Sequence, residues 1–194
     1  MSIFTATPAD GSAWVTGASS GIGKALALDL AGEGYTVHVT ARSEDALNEL
    51  AKQSDGLKGR IIAAPGDVTN PQAMAEIVRQ IDLEGNGLAL SVFNAGVYLP
   101  VHGETLTVED FDKTFAVNLS GVVNGLVPAI DHMKARGRGQ IAIVSSVTGY
   151  GGMPTSAAYG ATKAALINMA ILRQRRTMLS KCLPCCSPTK RPGG

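Results

Sequence analysis

The chain has 194 residues, of which 45% are hydrophobic and 17% charged, with a formal net charge of +1; this suits one domain built around one sizeable core. Residues 1–10 lack a basic n-region followed by an apolar run, and no stretch approaches the roughly 18 apolar residues needed to cross a bilayer, so the expectation is a cytoplasmic protein with no membrane role. The charge is uneven. Residues 1–171 carry 11 Lys and Arg against 16 Asp and Glu, whereas residues 172–194 carry six cations, no acid and all three cysteines, with Pro184, Pro188 and Pro192. That basic, Cys/Pro-rich tail reads as a solvated, disordered end rather than a nucleic-acid or membrane contact.

The body alternates short apolar runs with helical patterns. Ala13–Thr16 is the first strand, followed by a helix over about 21–31, a strand over Tyr35–Thr40 and a helix over about 43–53. Arg60–Ala64 is a third strand, Pro71 opens a helix running to about Ile81, and Leu88–Phe93 is a fourth strand. After a loop over 97–103, two helices (about 108–115 and 119–135, the second containing Pro128) lead to a strand at Gln140–Val144 and a helix over about 158–173. Strands separated by crossover helices predict a parallel sheet covered on both faces, an α/β/α three-layer arrangement. His38, His102 and His132 stand singly on separate elements, without metal-ligand spacing. Cys182, Cys185 and Cys186 supply three of the four ligands a structural zinc site needs, so no metal is expected.

Directly after the first strand comes Thr16-Gly17-Ala18-Ser19-Ser20-Gly21-Ile22-Gly23. In a strand-to-helix turn Gly17 allows the reversal, Gly21 lets backbone approach a pyrophosphate and Gly23 permits close helix packing. The helix N-terminus adds orphan N–H donors and positive potential. Ser19, Ser20 and Ile22 complete the candidate phosphate cradle. Strand two ends Val39-Thr40-Ala41-Arg42-Ser43, without the carboxylate that would accept both ribose hydroxyls of NAD. Arg42 instead suits a 2′-phosphate, so NADP is the expected cofactor and NAD the alternative.

Four features together resemble the short-chain dehydrogenase/reductase superfamily: the TGxxxGIG run from Thr16, Asn94-Ala95-Gly96 after the fourth strand, the pair Tyr159 and Lys163, and Ser146 thirteen residues before the tyrosine. The resemblance covers about residues 10–171. It implies a Rossmann-type doubly wound parallel sheet, with Asp67 and Val68 on the adenine and Asn94, Ala95 and Gly96 bordering the adenosine ribose. Asn70 and Pro71 already make a good helix start, which leaves Asp67 free for that ligand. The resemblance also implies that Asn118 holds a water in a proton relay with Lys163, and that Lys163 holds a ribose. Tyr159 and Lys163 lie four apart on one helix and share a face. An ammonium beside a phenol favours the phenolate, so Tyr159 suits proton transfer to or from a substrate oxygen. Ser146, at the end of the fifth strand, suits a hydrogen bond to that oxygen; Ser145 alternates to the other side and is the weaker candidate.

After Ala170 the pattern departs from the resemblance, which continues with a sixth strand, a Pro-Gly turn, a substrate loop and further elements. Residues 171–194 lack an apolar alternation long enough for them. The expected architecture is therefore an incomplete nucleotide-binding domain over 1–171 lacking the last strands, with strand five left as an edge that exposes Ile141 and Ile143. The expected activity is NADP(H)-dependent hydride transfer to or from a small carbonyl or secondary alcohol. The alternative is a weakly active or inactive nucleotide-binding remnant that partners a full-length relative. The resemblance implies homo-oligomers through the helices at about 119–135 and 158–173, weakened by the altered end.

Overall fold

The computed structural model describes residues 4–84, 87–170 and 179–183. Its strands are β1 (Ser12–Thr16), β2 (Thr36–Thr40), β3 (Arg60–Ala63), β4 (Leu88–Phe93), β5 (Gln140–Val144) and β6 (Leu179–Leu183). The helices are α1 (Gly21–Glu33), α2 (Glu44–Lys52), α3 (Pro71–Leu83), α4 (Val108–Phe115), α5 (Gly121–Arg136) and α6 (Ala157–Ala170). All pairings are parallel, in the order β3-β2-β1-β4-β5-β6. The chain thus starts in the middle, winds out to β3, returns to pair β4 with β1 and winds out the other way. The reversal between β1 and β4 opens a crevice at the carboxyl ends of those strands.

Alternation along each strand divides the core into two layers. Ala13, Val15, Val37 and Val39 pack with Ala27 and Ala31 of α1 and Leu47 and Leu50 of α2. Trp14, Phe93, Ile141 and Ile143 face the other way, against Met74, Ile77 and Ile81 of α3, Ala129 and Met133 of α5 and Leu166 of α6. Trp14 is fully enclosed. Its ring meets Phe93 edge-on at 5.7 Å, and its indole N–H donates to Thr40 Oγ1 at 2.9 Å. That bond satisfies the polar atom that makes a buried tryptophan costly. Helix starts follow their caps: Ser43 accepts from the Ala46 N–H, and Asn70, just before Pro71, accepts from the Ala73 N–H.

One expectation is extended and another corrected. The stretch from Val108 to Arg136 is one continuous run: α4 passes into α5 through a π-helical turn over Ala116–Ser120, whose flanking residues keep right-handed helical dihedrals. The sequence places two helical segments at about 108–115 and 119–135, close to α4 and α5, and does not foresee the turn that joins them. The edge at β5 is also covered, because residues 179–183, expected as tail, pair in parallel with β5 along its whole length. Ile141 and Ile143 are buried, not exposed. Cys182 lies in β6, whereas Cys185, Cys186 and the rest of the expected tail lie outside the described residues. Among the described residues no helix is long and apolar enough to cross a membrane.

Two histidines are built into the packing around the sheet. His132 Nε2 accepts the N–H of Leu88, the first residue of β4, at 3.0 Å, and its Nδ1 lies 3.7 Å from Asp82. His38 is 2% exposed, with Nε2 3.7 Å from Glu84. Burial holds both imidazoles below their ordinary pKa, and the nearby acids push back only in part. Both are therefore neutral when folded at neutral pH, while the unfolded chain takes up protons near pH ~6.5. Their contribution to stability is full above ~6.5 and is lost as pH falls through the depressed folded values. Urea denaturation midpoints are expected to drop between about pH 7.5 and 5.5. His132→Gln, which keeps an acceptor but does not titrate, should show a shallower drop; a parallel pH dependence in the variant would exclude His132 as a source.

Candidate active site

The crevice at the switch point is a cleft of about 560 Å³. One wall is the turn between β1 and α1. Gly17 has φ +70°, and a Cβ there would come within 2.6 Å of the Ala95 Cα; a Cβ on Gly23 would sit 2.4 Å from the Gly17 carbonyl oxygen and 2.5 Å from Asn94 Nδ2. The first helical turn can therefore approach the reversal only without side chains at these two positions. Ser20 precedes α1 without capping it through its side chain. The first-turn N–H groups, including those of Ile22 and Gly23, thus keep the donor capacity that suits an anion.

Asn94 fastens this wall to the end of β4. Its Nδ2 donates to the carbonyls of Thr16 and Gly17, both at 3.1 Å, while Thr16 Oγ1 accepts from the N–H groups of Asn94 and Ala95. The sequence marks Asn94 as a cofactor contact; in the fold its amide first serves the geometry of the glycine turn. Thr16 carries no sign of this role beyond its place in the motif.

Arg42, Asp67 and Val68 also line the cleft. Asp67 Oδ1 accepts from the backbone N–H of Thr69 at 2.9 Å and from its hydroxyl at 2.8 Å. Those bonds, the backbone one foremost, hold the carboxyl below the usual range, and the positive charge of Arg42 adds to the effect. Asp67 is thus not wholly free of local partners: one of its two oxygens already closes a local turn. Val68 is nearly buried, with its carbonyl accepting from Asn124 Nδ2 at 2.9 Å.

Gly96 joins this cleft to the Tyr/Lys pair. It lines the cleft, and a Cβ on it would sit 3.3 Å from Asn118 Oδ1 and 3.7 Å from Lys163 Nζ. Asn118 occupies the π-helical turn and is fully buried. Its Oδ1 accepts the Val97 N–H at 2.7 Å, and its Nδ2 donates to the Val97 carbonyl at 2.9 Å and to Thr162 Oγ1 at 3.3 Å. One amide therefore ties the loop after β4 to α6. Lys163 is 4% exposed, and burial lowers its ammonium pKa. Its Nζ donates to the Val144 carbonyl at 2.9 Å and lies 5.4 Å from the centre of the Tyr159 ring.

Ser146 follows β5 and begins a short 3₁₀ turn over Val147–Gly149, where its Oγ accepts from the Thr148 N–H at 3.3 Å. Among the described residues no hydrogen bond joins Ser146 to Tyr159. Ser145 turns inward, donating to the Lys163 carbonyl at 2.9 Å. The loop before α6 holds a residue that no sequence motif singles out. Thr155 adopts φ +62°, a left-handed conformation that costs a β-branched residue on the order of 1–3 kcal/mol. Its carbonyl accepts the Val101 N–H at 3.2 Å, and its Oγ1 lies 2.9 Å from the Tyr98 hydroxyl. Tyr98 in turn packs its ring on Tyr159, centroids 5.1 Å apart and tilted by 60°.

Known proteins are similar to this chain over most of its length. The short chain dehydrogenase family profile matches residues 12–176. A 3-oxoacyl-[acyl-carrier-protein] reductase of Thermotoga maritima is 36% identical over 155 residues, covering 80% of this chain and 63% of the relative. The short-chain dehydrogenase/reductase eriH of Hericium erinaceus is 35% identical over 163 residues, 81% of this chain and 65% of the relative. Among solved structures, a 3-ketoacyl-ACP reductase of Sinorhizobium meliloti superposes with a TM-score of 0.77 at 37% identity, over 82% of this chain and 64% of the other. A short-chain type dehydrogenase/reductase of Mycobacterium marinum superposes with a TM-score of 0.79 at 30% identity, over 84% and 68%. The chain thus spans a little under two thirds of the length of the curated relatives it matches. With the profile covering most of its residues and a parallel, doubly wound sheet built around the glycine turn, the chain belongs to the short chain dehydrogenase family.

Proposed function

We propose that the protein is an NADP(H)-dependent oxidoreductase acting on a small carbonyl or secondary alcohol. The observation that carries this reading is Gly96, which lines the nucleotide cleft on one side and abuts Asn118 and Lys163 on the other, with the Tyr159 ring beneath the ammonium. A cradle from which side chains are excluded at Gly17 and Gly23 fits a pyrophosphate, with Ser19, Ser20, Gly21 and Ile22 completing it. Arg42 would take the 2′-phosphate, Asp67 and Val68 the adenine, Asn94 and Ala95 the neighbouring ribose. When bound, the nicotinamide dinucleotide supplies or accepts the hydride at C4.

The chain's own residues would orient the substrate and move the proton. Tyr159 gives its hydroxyl proton to the substrate oxygen in reduction and takes it back in oxidation. Ser146 donates its hydroxyl hydrogen to that oxygen, which is compatible with its Oγ accepting from the Thr148 N–H. Lys163 places a positive charge behind the phenol and holds a ribose hydroxyl. Asn118, by fixing Val97, keeps Gly96 beside Lys163 and organises the relay. The relatives that are 3-oxoacyl and 3-ketoacyl reductases by name support a carbonyl as the reacting group. Homo-oligomers through α5 and α6 fit the exposed Val123 and Val127 on α5.

Calorimetric titration with NADPH and NADH, paired with absorbance at 340 nm on a panel of ketones and aldehydes, tests the reading. Binding without turnover would leave the nucleotide-binding remnant as the function, and no binding would remove both. Arg42→Ala is expected to weaken NADPH by about 1.5–3 kcal/mol, the worth of a charge-assisted hydrogen bond, or roughly 10- to 100-fold. NADH, lacking the phosphate, should change little. Equal losses for both cofactors would detach Arg42 from the 2′-phosphate.

A further inference from the structure

We propose that Tyr98 is a positioning residue for Tyr159, an inference that rests on the oxidoreductase reading above. Tyr159 has to present its hydroxyl to a substrate oxygen, yet no hydrogen bond among the described residues holds that hydroxyl to Ser146. Its ring is located instead by neighbours: Lys163 Nζ lies 5.4 Å from its centre and the Tyr98 ring 5.1 Å from it. A ring contact of this kind orients an aromatic side chain without occupying its hydroxyl.

Tyr98 can do this only if it is itself fixed, because half of its surface is open. Its hydroxyl lies 2.9 Å from Thr155 Oγ1 and accepts from Ser156 Oγ at 3.4 Å. Thr155 is locked in turn. Its carbonyl takes the Val101 N–H. The next residue, Ser156, also directs its hydroxyl to the Pro154 carbonyl at 3.3 Å, and its own carbonyl accepts the Gly160 N–H at 2.6 Å. The loop after β4 and the loop before α6 are thereby joined twice, once through main chain and once through Tyr98. A left-handed threonine persists only where its surroundings over-determine it, and strained residues of this kind gather at functional sites. The strained turn, the tethered hydroxyl and the tilted ring contact form one path from the loop to the tyrosine that would move the proton.

The 194-residue chain carrying Tyr98→Leu keeps bulk but loses both ring and hydroxyl. It is expected to lose about 2- to 10-fold in kcat, with KM for NADPH unchanged and the kcat pH profile displaced. Tyr98→Phe keeps the ring contact and should fall between Tyr98→Leu and wild type. A second measurement needs no turnover. Ring-labelled tyrosine NMR, with Tyr98→Phe and Tyr159→Phe supplying assignments, reports the Tyr98–Tyr159 contact directly. Thr155→Gly relieves the backbone strain and removes the anchor while leaving both rings in place, so it should fold and weaken that cross-peak. A wild-type rate and pH profile in Tyr98→Leu, or an unchanged cross-peak in Thr155→Gly, overturns the proposal. Loss of the cross-peak in a chain with no turnover would uphold the coupling and count only against the oxidoreductase reading.

Discussion

Tyr159→Phe is expected to lower turnover by about 10²- to 10⁴-fold, the range typical of a positioned acid–base group, while leaving NADPH affinity close to wild type. The phenylalanine ring keeps the packing on Tyr98 and the face beneath Lys163 Nζ, because both contacts are made by the ring and not by the hydroxyl. The cleft is walled by other residues, so the pyrophosphate and adenosine contacts proposed for it are untouched. The variant therefore separates proton transfer from binding and from folding. Calorimetry on the variant, followed by turnover of the same preparation, reads the two quantities together. Turnover within a factor of about ten of wild type would remove Tyr159 from the proton-transfer step.

Gly23→Ala should be strongly damaging to the glycine turn and the cleft it walls. The new Cβ would lie 2.4 Å from the Gly17 carbonyl oxygen and 2.5 Å from Asn94 Nδ2, distances no real Cβ tolerates. Neither neighbour is free to retreat. Gly17 is held by its own N–H, which donates to the Thr40 carbonyl at 2.8 Å, and Asn94 Nδ2 is held by the Thr16 and Gly17 carbonyls. Relief requires α1 to lift from the turn, breaking the Asn94 bonds and reshaping the cradle. The cost expected from such overpacking is about 1–3 kcal/mol of stability, with NADPH binding falling out of calorimetric range. Chemical denaturation and calorimetry check it. Gly32 supplies the control, since a Cβ at that position meets nothing within 4 Å. Gly32→Ala should be neutral or slightly stabilising in the last turn of α1.

Most of the fold is legible in the sequence because its signals are local. Apolar runs mark β1 to β5, a glycine pattern marks the turn after β1, and Asn70-Pro71 marks the start of α3. The candidate site residues on those elements, Gly17 to Gly23, Asn94 to Gly96, Tyr159 and Lys163, can be placed in sequence for the same reason. What escapes depends on partners that no local pattern reveals. Tyr98 and Thr155 are 57 residues apart, and neither has a distinguishing neighbour pattern. Asp67 reads as free for a ligand because Asn70 serves the helix, but Thr69 supplies a donor pair two residues away, a local turn that competes for the same carboxylate. β6 is hidden because its pairing with β5 uses backbone donors and acceptors, which every non-proline residue has, and Ser180 and Lys181 interrupt any apolar run.

The π-helical turn at Ala116–Ser120 shifts the rotational phase of the helix that follows it. Each residue of an α-helix advances the side chains by about 100°, so the wider turn offsets the face of α5 from the one α4 would have continued. The two halves of a single helical rod can then serve different partners: α4 packs on α6, while α5 lies against α3 and β4. On α5 that phase brings Gly125 to the rings of Trp14 and Phe93, so close that a Cβ there would lie 2.7 Å from Phe93 Cε1. With one residue fewer in the turn, Gly125 would rotate away and a bulkier neighbour would meet the two rings. The irregular turn that holds Asn118 therefore also governs the angular register by which α5 seats on its sheet.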